Sequence, residues 1–166
     1  PKQSSIKKAL KILERDADKA VEHLKKEFNR VFVVSKAKTN NNDETTETLF
    51  TTKVDKLLDG CHKCLNRLHK LKESSKKDSL LSTLHLIIGN TFLKIDTNNT
   101  NTHIKDIEFH ANKAFQYNNK NCRTHLLLAK VNELKGDINE SILNYKNAIT
   151  FCDQKKQHKL TENIQR

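Results

Sequence analysis

The chain has no tryptophan, no methionine, one proline and three glycines among its 166 residues. So few backbone breakers cannot supply the tight turns of a many-stranded sheet. Aromatic residues make up only 5%, too sparse for the stacking platforms that hold single-stranded nucleic acids. No run of about 18 apolar residues occurs, which excludes a membrane-spanning helix. Acidic residues are also short: 20 Asp and Glu against 31 Lys and Arg leave a formal net charge of +11. Such a surface draws in an anionic partner and loosens it with salt, although a solvated, Lys-rich helical surface has the same composition. Four cysteines, all in helical settings, are too few for a disulfide framework. They point to a reducing compartment, cytoplasm or nucleus. No secretory signal is visible at the start. With Pro1 first and no Met, the chain reads as an excised fragment or as one whose initiator has been removed.

Catalytic patterns are missing as well. There is no glycine-rich phosphate loop, no HExxH and no pairing of carboxylates, so the expectation is a non-catalytic protein without a cofactor. "CHKCLNRLH" places Cys61, His62, Cys64 and His69 close together, and Cys at i and i+3 can begin a zinc site. Both cysteines, however, fall on the apolar stripe shared by Leu57 and Leu68, and no second cysteine pair is near. They read as small buried apolar residues, with no metal.

What is abundant is helical periodicity. Ile6, Leu10, Leu13, Ala17, Val21, Leu24, Phe28 and Val31 recur at three- and four-residue steps, predicting one long helix over 4–33. Its other face carries Lys8, Lys11, Arg15, Lys19, Lys26 and Arg30, interrupted by Glu14, Asp16, Asp18 and Glu22. The polar, aperiodic stretch 36–48 predicts a loop. Phe50, Val54, Leu57, Cys61, Cys64, Leu68 and Leu71 then define a second stripe over 49–73. The segment 79–95 is apolar nearly all round, as in a helix buried on several sides, with its start at Asp78 or Ser79. A low-complexity loop at 96–102 leads to helices over 103–118 and 122–135. Gly136 ends the second of these with a left-handed turn, and a helix follows over 138–152. Residues 156–166 extend that helix or form a short final one.

Small residues recur at a fixed offset. Ala114 and Ala148 lie 34 residues apart, as do Asn119 and Asp153 at the ends of their helices. Ala129 sits 19 residues before Ala148, and Gly89 sits 25 before Ala114, the extra length falling on loop 96–102. Leu128–Ala129 and Ile88–Gly89 are large-then-small pairs; Phe92, the turn "KGD" at 135–137, Ser141 and Tyr145 complete the pattern. A two-helix unit so built resembles the tetratricopeptide repeat. The resemblance covers residues 80–155, and lacks the family's tryptophan and its terminal prolines. Three units with a long first pair and a basic terminal helix also look like the helical domains of the large immunophilins. The competing reading is an ordinary helical bundle.

The resemblance implies an all-α fold: antiparallel hairpins stacked as a right-handed superhelix of six to seven helices in a single domain, 1–166. Residues 1–77 would form a long, degenerate first hairpin, and 79–155 two repeat units. It also implies a protein–protein interaction module, an adaptor or scaffold, whose first helices line a groove for a peptide segment or partner helix. The family's groove positions fall on Asn90, Leu93, Lys94, Arg123, Leu126, Lys130 and Glu133. A subfamily that grips the terminal carboxylate of chaperone tails needs lysine and asparagine where this chain has Leu86 and Leu127, so that ligand is not expected. The alternative is a basic helical module that binds nucleic acid, RNA rather than DNA, on the cationic face of the first helix.

Overall fold

In the computed structural model, which describes residues 2–37, 44–96 and 102–164, the chain is all-α. Six helices follow one another among the described residues: α1 (Lys2–Ala37), α2 (Glu44–His69), α3 (Ser75–Ile95), α4 (Ile104–Tyr117), α5 (Cys122–Lys135) and α6 (Ile138–Ile164). They pair in order, α1 with α2, α3 with α4 and α5 with α6. Both members of the first hairpin lie against α3, and both members of the second lie against α5.

Apolar periodicity explains the core. Val21, Leu24, Val31 and Phe32 of α1 meet Val54, Leu57, Cys61, Cys64 and Leu68 of α2 over the apolar side of α3. A second cluster joins Leu86 of α3, Ile107, Ala111 and Ala114 of α4, and Leu127 and Val131 of α5. α3 therefore feeds both clusters, which is why it is apolar nearly all round. Cys61 and Cys64 are buried as expected, and burial, together with Cys64 beside it, pushes the Cys61 thiol up to about 12. Such a thiol stays protonated and inert at neutral pH.

Close approach depends on the small residues. Ala114 and Ala129 are fully buried, and Ala148 almost so. The second and third hairpins each carry one cross-helix hydroxyl bond: Ser82 Oγ donates to the Ala114 carbonyl at 2.8 Å, and Ser141 Oγ to the Ala129 carbonyl at 2.9 Å. Gly136 adopts φ 83°, and the Asp137 amide reaches back to the Asn132 carbonyl at 2.8 Å, closing α5 with the left-handed cap that glycine allows.

The structure corrects several expectations. α1 runs four residues further than predicted, to Ala37, and α2 begins at Glu44, inside the stretch read as loop. Residues 38–43 of that loop and 97–101 of the next lie outside the described residues. Absence of apolar period does not forbid helix, and α2 begins inside a stretch that has none. α3 is capped by Ser74, whose hydroxyl accepts from the Lys77 amide at 3.1 Å, rather than by Asp78 or Ser79. Lys77 itself is buried, its ammonium held by the Leu71 carbonyl at 2.9 Å and Glu73 at 2.6 Å. α6 is continuous through Ile164. The stripe on α1 is not covered along its whole length: Ile6 is 59% exposed and Leu13 49%, and packing starts at Ala17.

The cysteines require a further correction. All four thiols were expected to be free, yet Cys122 and Cys152 form a disulfide between α5 and α6. The two are equidistant from Asp137 in the turn, and an antiparallel hairpin sets such positions side by side. Free thiols therefore cannot serve as the argument for a reducing compartment. Closing a loop of 30 residues is worth about 3.6 kcal/mol through the entropy removed from the unfolded chain. Cys152→Ser is accordingly expected to lower stability by that amount in urea titrations without reductant. Equal midpoints for the variant and the oxidised parent would contradict it.

Candidate partner-binding groove

The first helices of the three hairpins, α1, α3 and α5, open onto a groove of about 660 Å³. Lys25, Phe28 and Asn29 of α1 form one wall. Ser79, Thr83, Leu86, Ile87 and Asn90 of α3 form the floor. The α4–α5 turn contributes Asn118, Lys120 and Asn121, the start of α5 adds Cys122 and Arg123, and the end of α6 adds Phe151, Gln154 and Lys155. Among the described residues four cations line this space and no carboxylate does, whereas the whole chain has 20 acids to 31 bases. The local potential is therefore more positive than the overall composition implies, and low-dielectric walls concentrate it.

Local chain chemistry sets the donors. Asn121 caps α5, its side-chain oxygen accepting from the Arg123 amide at 3.1 Å. Asn118 does the same one turn earlier for the Lys120 amide, at 3.2 Å. With both oxygens engaged, each side chain retains an NH2 that can donate. Acceptors lie along the floor formed by α3. Thr83 Oγ1 donates to the Ser79 carbonyl at 3.0 Å, and Asn90 Nδ2 to the Leu86 carbonyl at 2.9 Å. These bonds leave the Thr83 oxygen lone pairs and the Asn90 side-chain oxygen to accept. Of the cations, Lys25 pairs with Glu22 at 3.0 Å, while Lys120, Arg123 and Lys155 have no carboxylate partner among the described residues.

A second, shallower depression of about 360 Å³ adjoins the first at Asn90. It brings together Leu93 and Lys94 of α3 with Lys130, Glu133 and Leu134 of α5. Glu133 is held in place by Tyr145, whose hydroxyl donates to it at 3.0 Å. Partial burial first, and this carboxylate second, push the Tyr145 hydroxyl above its ordinary range.

Six of the seven groove positions expected from sequence thus line one of two adjoining depressions: Arg123 the first, Leu93, Lys94, Lys130 and Glu133 the second, and Asn90 both. Leu126 lines neither. The six basic-face residues of α1, Lys8, Lys11, Arg15, Lys19, Lys26 and Arg30, are all exposed, and Arg30 pairs with Glu27 at 2.7 Å. Lys25, Lys120 and Lys155 were missed. Lys120 stands in a segment read only as a turn and Lys155 between the helix expected over 138–152 and its extension, while Lys25 is hidden among the lysines of α1.

Compared with known proteins, the chain matches no family model, no curated protein and no solved structure. Among the described residues no group of three or more His, Cys, Asp or Glu could hold a metal ion, and no helix is long and apolar enough to cross a membrane.

Proposed function

We propose that the protein is a non-catalytic, tetratricopeptide-like interaction module, an adaptor or scaffold that holds an acidic peptide segment along the groove formed by α1, α3 and α5. The observation that carries this reading is the groove's lining: four cations, several amide side chains and no carboxylate. Three features of the fold support the repeat comparison. The helices form consecutive antiparallel hairpins, each lying against the first helix of the next. Gly89, Ala114, Ala129 and Ala148 are buried at the helix contacts. The groove opens on first helices, where such repeats hold their ligands. An extended segment crossing Asn90 passes from the four-cation end towards Lys94 and Lys130.

Selection from a displayed library of random peptides on the intact chain tests this. Enriched sequences should be acidic, and their binding should fall at least tenfold in Arg123→Glu and in Lys120→Glu, about 1.4 kcal/mol each. Peptides that bind these variants as well as the parent would overturn it. The competing reading is an RNA-binding module using the exposed cations of α1. A phosphate-dominated RNA complex should weaken by orders of magnitude between about 50 and 200 mM salt, and should depend on Lys11 and Arg15 rather than on Arg123.

A further inference from the structure

We infer that the cationic end of the groove is a phosphate-binding subsite, taking the phosphorylated side chain of a phosphoserine or phosphothreonine in the bound peptide. This rests on the peptide-groove reading and specifies its ligand. The argument is one of donors and acceptors. Donors dominate this lining: the ammonium groups of Lys25, Lys120 and Lys155, the Arg123 guanidinium, and the NH2 groups of Asn118 and Asn121. A carboxylate offers two oxygens and one charge, which this set exceeds. A phosphoryl group brings three acceptor oxygens and a charge of about −1.5 to −2 at neutral pH, and is satisfied by several cations at once. Arg123 supplies the planar fork that pairs with two phosphoryl oxygens together. The N-terminal end of α5 opens at the same place, adding its positive dipole to the side-chain charges.

The same lining sets the context of the phosphorylated residue. Half-buried Phe28 and Phe151 flank the donor end, so the position next to the phosphate should be apolar. The acceptor at Asn90, where the groove meets the second depression, suits the backbone amides of the continuing chain. RNA fits this lining less well. Its phosphates repeat along the chain, while the donors gather at one end of the groove, and Phe151 already stacks on His125 at a centroid distance of 4.9 Å.

The test uses the intact, oxidised chain and three oriented peptide libraries that differ only in the central residue: phosphoserine, serine or aspartate. The phosphoserine library should be retained at least about tenfold better than either of the others, the equivalent of one added charge-assisted hydrogen bond. Arg123→Glu and Lys155→Glu should each abolish the difference, with unchanged helical circular dichroism. Titration with phenyl phosphate, followed by amide resonances, should move Asn121, Cys122 and Arg123 first. Equal retention of the aspartate and phosphoserine libraries would overturn the phosphate subsite while leaving the peptide groove intact. Retention of none of the libraries, with no response to phenyl phosphate, would remove both. Shifts confined to Lys8, Lys11 and Arg15, or displacement of the phosphoserine peptides by a ten-residue oligouridylate at 150 mM salt, would also overturn the subsite.

Discussion

Replacing Gly89 with leucine is expected to destabilise the protein by about 4 kcal/mol, among the largest effects a single residue can have. A Cβ added at this position would lie 2.8 Å from Leu127 Cδ2, 3.5 Å from His110 Cβ and 3.9 Å from the Ile107 carbonyl oxygen. Three helices therefore converge on one missing side chain: α3 provides the glycine, α4 and α5 the walls. Leu127 is 1% exposed and Ile107 fully buried, so the methyl that must move has no solvent to move into. Gly89→Ala separates two effects of opposite sign. Alanine gains about 1 kcal/mol in helix propensity over glycine, while the clash costs about 1–3 kcal/mol as overpacking. The expected net loss is about 1 kcal/mol. Gly89→Ala combined with Leu127→Val, which withdraws the clashing carbon, should lose less than the two single changes added together. Urea midpoints of the four proteins read this directly. Additive losses would show that Gly89 is not at a close contact in solution.

Gly89 also shows how much of this fold is legible in sequence. The pair Ile88–Gly89 was noticed because the same large-then-small pair recurs at Leu128–Ala129, and a repeat register is a long-range statement that local propensity cannot make. Where caps and breakers are explicit, boundaries follow closely: Asn121 and Gly136 bracket α5 over Cys122–Lys135 as expected. Where they are not, boundaries drift, as at Glu44 and Ala37. Periodicity identifies which face of a helix is apolar but not which neighbour covers it, so the exposed Ile6 and Leu13 stood in the same stripe as the buried Leu24. The Cys122–Cys152 pair was missed because the cysteines were counted rather than measured from the turn. The groove was half legible for a similar reason. Positions in the apolar-patterned first helices, such as Asn90 and Lys130, could be placed. Lys25, Lys120 and Lys155 come from the long first helix, a turn and the stretch just past the helix expected over 138–152, where no such pattern points to them.

No sequence signal marked His85 and His110, and these two give the other large expectation. His85 sits in the apolar run of α3 and His110 on the buried face of α4, with their Nδ1 atoms 2.9 Å apart. One imidazole must donate and the other accept, so both are neutral. Tyr117 stacks on His85 and Phe92 on His110, and both imidazoles are buried, so an added charge would be poorly solvated. Burial, followed by His110 and then by Lys113, His69 and His62, lowers His85 from the ordinary 6.5 to about 4. Burial and His62 lower His110 equally, against a smaller opposing pull from Asp106. Because the unfolded chain takes up these protons near 6.5 and the folded chain only near 4, the contribution is complete above about pH 6.5. It is lost progressively as pH falls through that window. Each histidine accounts for about 1.4 kcal/mol per pH unit, so stability should fall by between 1.4 and 2.7 kcal/mol for each unit, roughly, below pH 6.5. Over the whole window the pair can remove about 7 kcal/mol, a large share of a typical total of about 5–15 kcal/mol. Carboxylates titrate at the low end of this pH window, so the measurement that isolates the pair is a comparison. His85→Phe with His110→Leu should start less stable at neutral pH, yet show a much flatter slope of urea midpoint between pH 7 and pH 5. An unchanged slope would assign the acid sensitivity to other groups. The same pair bridges α3 and α4 behind the groove floor, so the packing of this hairpin should be lost as the pH drops.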